Sequence, residues 1–207
     1  HVVDPYDAKD WVGLGRLMGI GSGAFDARYA DALDYRKHCA DVVDQGLGNC
    51  CVGESVCAIV DTQARLIGRV QPYGSRFAAY SIGRALGTGA DQPLLDVGVQ
   101  PRLVVKGVQR YGIVALDRWH PEGEDVNARP PFDVLHMGTS AAVEGYARIV
   151  EDVVTQFAMA LTSGFVPMFA MPVDQAYVDL DGSATYPGLQ GEVLGGHMQV
   201  LVGYDLG

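Results

Sequence analysis

A chain of 207 residues, 48% hydrophobic and only 19% charged, can build a real core and is sized for one domain or two small lobes sharing a cleft. Its formal net charge of −10, with no basic cluster to offset it, argues against non-specific nucleic-acid binding. The uncharged run 157–173 is broken by Thr162, Ser163, Gly164, Pro167 and Pro172 and falls short of the ~20 apolar residues of a membrane span, so no membrane partner is expected.

Residues 1–32 read as a peripheral arm or lead-in, with glycines at 13, 15, 19, 21 and 23. They lack the basic-then-apolar order of a signal peptide and begin without Met, which suggests a processed chain or a fragment. Cys39, Cys50, Cys51 and Cys57 all lie within 19 residues. A secreted disulfide framework spreads its cysteines more widely, so reduced thiols and a cytoplasmic or virion-associated setting are expected. Paired CxxC units are missing, and neither a metal nor another cofactor is expected.

After the lead-in 33–43, Gly48-Asn49 supplies a turn and a cap for a helix starting near Val52. Its core face is Val52, Val56, Ile59, Val60 and Ile67. Further helices are expected over 74–86 and 99–111, the latter closed by Gly112. The stretch 119–140 carries three prolines and an acidic run at 122–125, and reads as a solvated surface connection. A helix over 151–163, a buried strand over 165–173, a loop over 174–192 and a strand over 197–204 complete the chain. Helices come first and strands last, an α+β order rather than alternating βαβ. The division expected is a helical lobe over 33–118, a connection over 119–140 and a β-rich lobe over 141–207.

A nucleophilic thiol needs a depressed pKa, which a helix N-terminus and a neighbouring imidazolium together supply. Cys50 and Cys51 stand where the first helix should start. Of the five histidines, His197 is set apart by Gly195-Gly196 before it and an apolar strand after it. Glycine there, Gly196 in particular, lets a substrate backbone come close. Acyl transfer also needs oxyanion donors, and the amide of Gln45 could join the Cys51 N–H.

The segment DQGLGNCCVGES (44–55) resembles the active-site segment of papain-like cysteine peptidases, in particular bacterial and phage members with a DQG-then-CVG pattern. The alignment is gapless when Cys51 is the nucleophile, and it makes Gln45 the oxyanion glutamine and Cys50 a structural neighbour. LGGHMQVLVGYD (194–205) resembles the family's histidine strand, and His197 follows Cys51 by 146 residues, within the ~130–150 of the family. YGSRFAAYSIGR, VQRYGIVALDRW and DYRKHCADVVDQG resemble intervening elements, so the likeness covers roughly 33–207. It implies a two-lobed α+β fold, peptide or protein substrates, and a cleft-lining glycine at Gly98.

Departures from the family are visible. Val52-Gly53 stands where an aromatic commonly follows the nucleophile. Glu54 puts a carboxylate in the first helical turn, which opposes thiolate formation if it faces the sulfur. Gly48 stands where the family carries a disulfide cysteine. The family orients its histidine with an Asn or Asp on a later strand, whereas Asp205, eight residues along the same strand at ~3.3 Å each, would lie about 26 Å away. A tail after Gly207, a partner chain completing the β lobe, and a decayed site all fit. The first reading is therefore a thiol peptidase acting through Cys51 and His197. The alternative is a papain-fold structural or assembly protein, for example a virion component, without turnover.

Overall fold

Three helices and a β-hairpin form the part of the fold that carries the expected site. The computed structural model describes residues 11–12, 29–46, 48–89, 91–119, 126–140, 143–182 and 184–207. The glycines of the expected arm and the acidic run 122–125 lie outside the described residues.

Helix α1 (Cys51–Leu66) starts one residue earlier than its apolar periodicity suggested. Val52 and Val56 are buried as expected, but Ile67 is the residue after the last turn and is 68% exposed. Asn49 does not cap the helix: Cys50 holds that position without a side-chain cap bond, and the Asn49 amide is turned away to Asp96. Helix α2 (Arg76–Thr88) is capped by Ser75, whose hydroxyl oxygen accepts from the Ala78 N–H at 3.2 Å. Such a cap contributes about 1 kcal/mol. Helix α3 (Pro101–Tyr111) has proline in its first turn, where no N–H is needed, and ends at Gly112 with φ of 76°.

Small residues bring these helices together. A Cβ on Gly53 of α1 would lie 2.4 Å from the Arg76 carbonyl oxygen of α2. Across the α2–α3 contact, Cβ atoms on Gly83 and Gly107 would lie 2.6 Å from Val104 Cγ2 and 2.5 Å from Ile82 Cγ2. One apolar cluster follows: Val52, Val56, Phe77, Tyr80, Val104 and Val108, joined by Met198 from the strand region. Each side chain fully buried here contributes roughly 1.5–3 kcal/mol.

The connection 119–140 is more ordered than its prolines suggested. A short helix, α4 (Phe132–His136), runs into a 3-10 turn (Met137–Ser140), and Val134 is buried beside Ala78 and Val114. Further on, α5 (Val153–Thr162) ends at Ser163, and Gly164 follows with φ of 81°. The strand expected to be buried over 165–173 begins only at Met168 and is half-buried, with Ala170 and Pro172 exposed.

The sheets are small. Strands β1 (Trp11–Val12) and β3 (Ala147–Arg148) pair in parallel, while β2 (Ala32–Asp34) pairs antiparallel with β6 (Gly203–Asp205). Strand β4 (Met168–Val173) pairs antiparallel with β5 (Gly195–Val200), placing Met171 opposite His197. The single strand expected over 197–204 is thus two: the chain leaves β4 after Val200 and joins β2 from Gly203. Between β4 and β5, the one-turn helix α6 (Gln175–Val178) opens the loop that had read as turn residues alone. Helix α1 packs directly against β5 and β4 as well as against α2 and α3. Among the described residues no helix is long and apolar enough to cross a membrane.

Candidate active site

The turn before α1 is held by its own polar groups. Gly46, with φ of 65°, donates its N–H to Asp44 Oδ1 at 2.8 Å, and Gln45 Nε2 donates to the Gly48 carbonyl at 2.9 Å. Gln45 therefore lies in the same turn as Cys51, with its amide engaged by that turn. Gly48 is buried, and a Cβ there would meet Val126 Cγ1 at 2.9 Å.

All four thiols are free. Cys50 is fully buried, and burial pushes its thiol up to about 11. Cys57, one and a half turns into the helix, is buried and raised further for the same reason. Cys51 is only partly buried and is the first residue of α1, at the positive end of its dipole. On this helix, then, Cys51 joins access to a helix N-terminus, whereas Cys50 and Cys57 face the core.

Glu54 does not face the turn alone. Its Oε1 accepts from the Tyr73 hydroxyl at 2.5 Å, and its Oε2 lies 3.7 Å from Arg76 Nη1. The carboxylate thus has a hydroxyl donor and a cation beside it, which offsets its field at the neighbouring thiol.

His197 lies on β5, where successive side chains alternate between faces. Met198 enters the core cluster with Cys50, Val52 and Val56, while His197 and Gln199 both meet Tyr177. The Tyr177 and His197 ring centres are 5.8 Å apart, and Gln199 Nε2 donates to the Tyr177 hydroxyl. Tyr186 packs edge-on against Tyr177 at 5.3 Å. Burial lowers the His197 pKa, because the cationic ring loses hydration.

Asp174 anchors this aromatic wall. Its carboxylate, only 1% exposed, accepts from the N–H groups of Tyr177 at 3.1 Å, Gln190 at 2.5 Å and Gly191 at 2.9 Å, and from the Tyr186 hydroxyl at 3.1 Å. Sequence reasoning missed both Asp174 and Tyr177; the Asp before α6 was a readable cap signal, but its reach to 190–191 was not.

Cys51 and His197 sit on elements that pack together, α1 and β5, and no hydrogen bond joins their side chains among the described residues. Gly196 is exposed on β5 opposite Pro172. Gly98 has φ of 83° and donates its N–H to the Tyr80 hydroxyl at 3.0 Å. Asp205 belongs to β6, paired with β2, and its Oδ1 accepts from Gly207 N–H. An open cavity of about 540 Å³, lined by Leu33, Arg36, Val202 and Tyr204 among others, lies at that β2–β6 pair and includes neither Cys51 nor His197.

No protein-family model matches the chain. It is 26% identical over 198 residues to an uncharacterised peptidase C1-like protein of Acanthamoeba polyphaga mimivirus, covering 90% of this chain and 62% of that protein. The chain thus spans less than two thirds of that relative's length. In structure it is similar to xylellain, a cysteine protease from Xylella fastidiosa, with a TM-score of 0.77 at 17% identity over 100% of this chain and 79% of the other. It is also similar to a digestive procathepsin L2 proteinase of Tenebrio molitor larval midgut, with a TM-score of 0.68 at 16% identity over 99% of this chain and 63% of the other.

Proposed function

We propose that this chain, whose fold is that of papain-like cysteine proteases, is a thiol peptidase with Cys51 as nucleophile and His197 as its acid–base partner. The observation that carries the reading is the placement of a partly exposed cysteine at the first residue of α1, packed directly against the strand that bears His197. Burial lowers the pKa of His197 and so favours the neutral ring, the form able to take the thiol proton. The thiolate then attacks the peptide carbonyl, forming the C–S bond. The Cys51 N–H holds the oxyanion, and the Gln45 amide joins it by exchanging its bond to Gly48 for one to substrate. Collapse of the tetrahedral adduct breaks the C–N bond, and the imidazolium protonates the leaving amine. Water, deprotonated by the same ring, hydrolyses the acyl-enzyme and restores the thiol.

Gly98 and Gly196 flank the path of the substrate chain. With its N–H taken by Tyr80, Gly98 offers its carbonyl and the space of a missing side chain. Tyr177 screens His197 from water and limits its rotation, a support that this chain provides without a carboxylate or amide bonded to the ring among the described residues.

The test is a peptide-based thiol electrophile followed by mass spectrometry, with hydrolysis of a peptide library in parallel. Labelling is expected on Cys51, with loss on Cys51→Ala and a drop of about 10²–10⁴-fold in turnover on His197→Ala. Labelling on Cys50 instead would overturn the assignment. A chain that neither labels nor cleaves would return the reading to a papain-fold assembly protein.

A further inference from the structure

We propose that Asp96 is a positioning residue that locks the nucleophile turn to the glycine rim of the substrate path, an inference that rests on the function proposed above. The Asn49 N–H, two residues before Cys51, donates to Asp96 Oδ1 at 3.1 Å and Oδ2 at 3.2 Å. The Asn49 side-chain amide donates to the Asp96 carbonyl at 3.1 Å. On its other side, Asp96 Oδ1 accepts from the Tyr80 hydroxyl at 2.7 Å, and the oxygen of that hydroxyl accepts the Gly98 N–H at 3.0 Å. One carboxylate thus gathers the turn that carries the thiol and, through one tyrosine, the rim glycine.

The device is braced from inside the helical core. The Arg84 guanidinium lies 3.9 Å from the centre of the Tyr80 ring and donates to the Leu95 carbonyl at 2.9 Å. Arg84 is 4% exposed and Tyr80 fully buried, so neither can move without disturbing α2. Residues 95–98 are therefore stitched at three successive points: the Leu95 carbonyl, the Asp96 carboxylate and the Gly98 N–H. Gly48, which stands where the family carries a disulfide cysteine, cannot fix this turn covalently. Bonds to a charged acceptor are among the stronger ones available to replace such a tie. Geometry at this joint sets the offset between the attacking sulfur and a substrate strand lying along Gly98, and errors of about 1 Å there reduce rates strongly.

Three variants test the proposal: Asp96→Ala, Asp96→Asn and Tyr80→Phe. Amide hydrogen exchange by NMR is read at Asn49 and Gly98, with Cys51 labelling rates, kcat, KM and thermal melting beside it. In Asp96→Ala, Asn49 exchange should rise roughly tenfold or more and kcat/KM should fall by roughly 10–100-fold. Asp96→Asn keeps one acceptor oxygen and should recover most of both. Tyr80→Phe should free the Gly98 amide but not Asn49, raising KM with little change in kcat. Unchanged Asn49 exchange in Asp96→Ala, or altered exchange with an unaltered Cys51 labelling rate, overturns the clamp. Loss of kcat and KM effects together in exact proportion to a lowered melting temperature, without recovery in Asp96→Asn, also overturns it. A wild-type chain that neither cleaves nor labels refutes the proposed activity instead, and the amide-exchange result still decides whether Asp96 holds the turn.

Discussion

Gly53 offers a direct test of the packing that presents Cys51. In Gly53→Ala the new Cβ would sit 2.4 Å from the Arg76 carbonyl oxygen and 3.2 Å from both the N and Cβ of Tyr80. Relief requires α1 and α2 to part by about 1 Å, because the obstacle is backbone rather than a side chain that can rotate. Overpacking of this kind costs about 1–3 kcal/mol, while alanine in place of glycine returns about 1 kcal/mol of helix propensity. With a backbone obstacle the cost lies toward the upper end, so the net loss is about 1–2 kcal/mol. At a urea dependence of about 2 kcal/mol per M, the midpoint should fall by about 0.5–1 M. Gly182→Ala, where a Cβ meets nothing within 4 Å, serves as comparator and should change stability by less than about 0.5 kcal/mol. The displacement begins two residues after Cys51, so its labelling by electrophile should slow as well. An unchanged or raised urea midpoint in Gly53→Ala would refute the argument that this glycine is required by helix contact.

Two predictions concern protons around His197. The folded pKa of Asp174 lies below its ordinary value, first because the Gln190 N–H donates to it and then through Gly191, Tyr177 and Tyr186, against the opposing effect of burial. Its contribution is therefore complete above the unfolded value and lost as pH falls through the folded one, so acid denaturation below about pH 4 should be shallower in Asp174→Asn than in wild type, followed by far-UV circular dichroism. The folded pKa of His197 is also lowered, so its contribution is present above the unfolded value near pH 6.5 and is lost on acidification. In a Cys51→Ala background its NMR titration midpoint should lie below about 6.5 and move upward in Tyr177→Ala, and a midpoint indifferent to Tyr177 would remove that ring as the desolvating wall.

Much of the helical part was legible because its signals are local. Gly112 marks a helix end through its freedom to take a positive φ, and the Val52–Val56 spacing marks a buried face, whereas the helices that begin at Arg76 and Pro101 start two residues inside the spans expected from 74 and 99. Ile67 misled because periodicity does not announce where a helix stops. The β part was harder. Apart from Gln199 the run 198–202 is apolar, so nothing in it shows that the chain changes partners between Val200 and Gly203. Asn49 read as a cap because that is its commonest local use, whereas its actual partner is 47 residues away. Asp174 followed the same rule: its bond to Tyr177 N–H is a local cap, but those to Gln190 and Gly191 depend on how a loop folds back.

The pairing of β2 with β6 gives the molecule a timing problem. The Tyr204 hydroxyl donates to the Ala30 carbonyl across 174 residues of chain, beside two strands that pair only with each other among the described residues. During synthesis β2 exists long before the strand that completes it, and its open backbone edge must wait. Closing so long a loop costs entropy that no local contact repays in advance. The helices around Cys51 can associate early through neighbours in sequence, while this seam closes late. The thiol turn thus forms on a part of the protein that can fold before the ends of the described chain are joined.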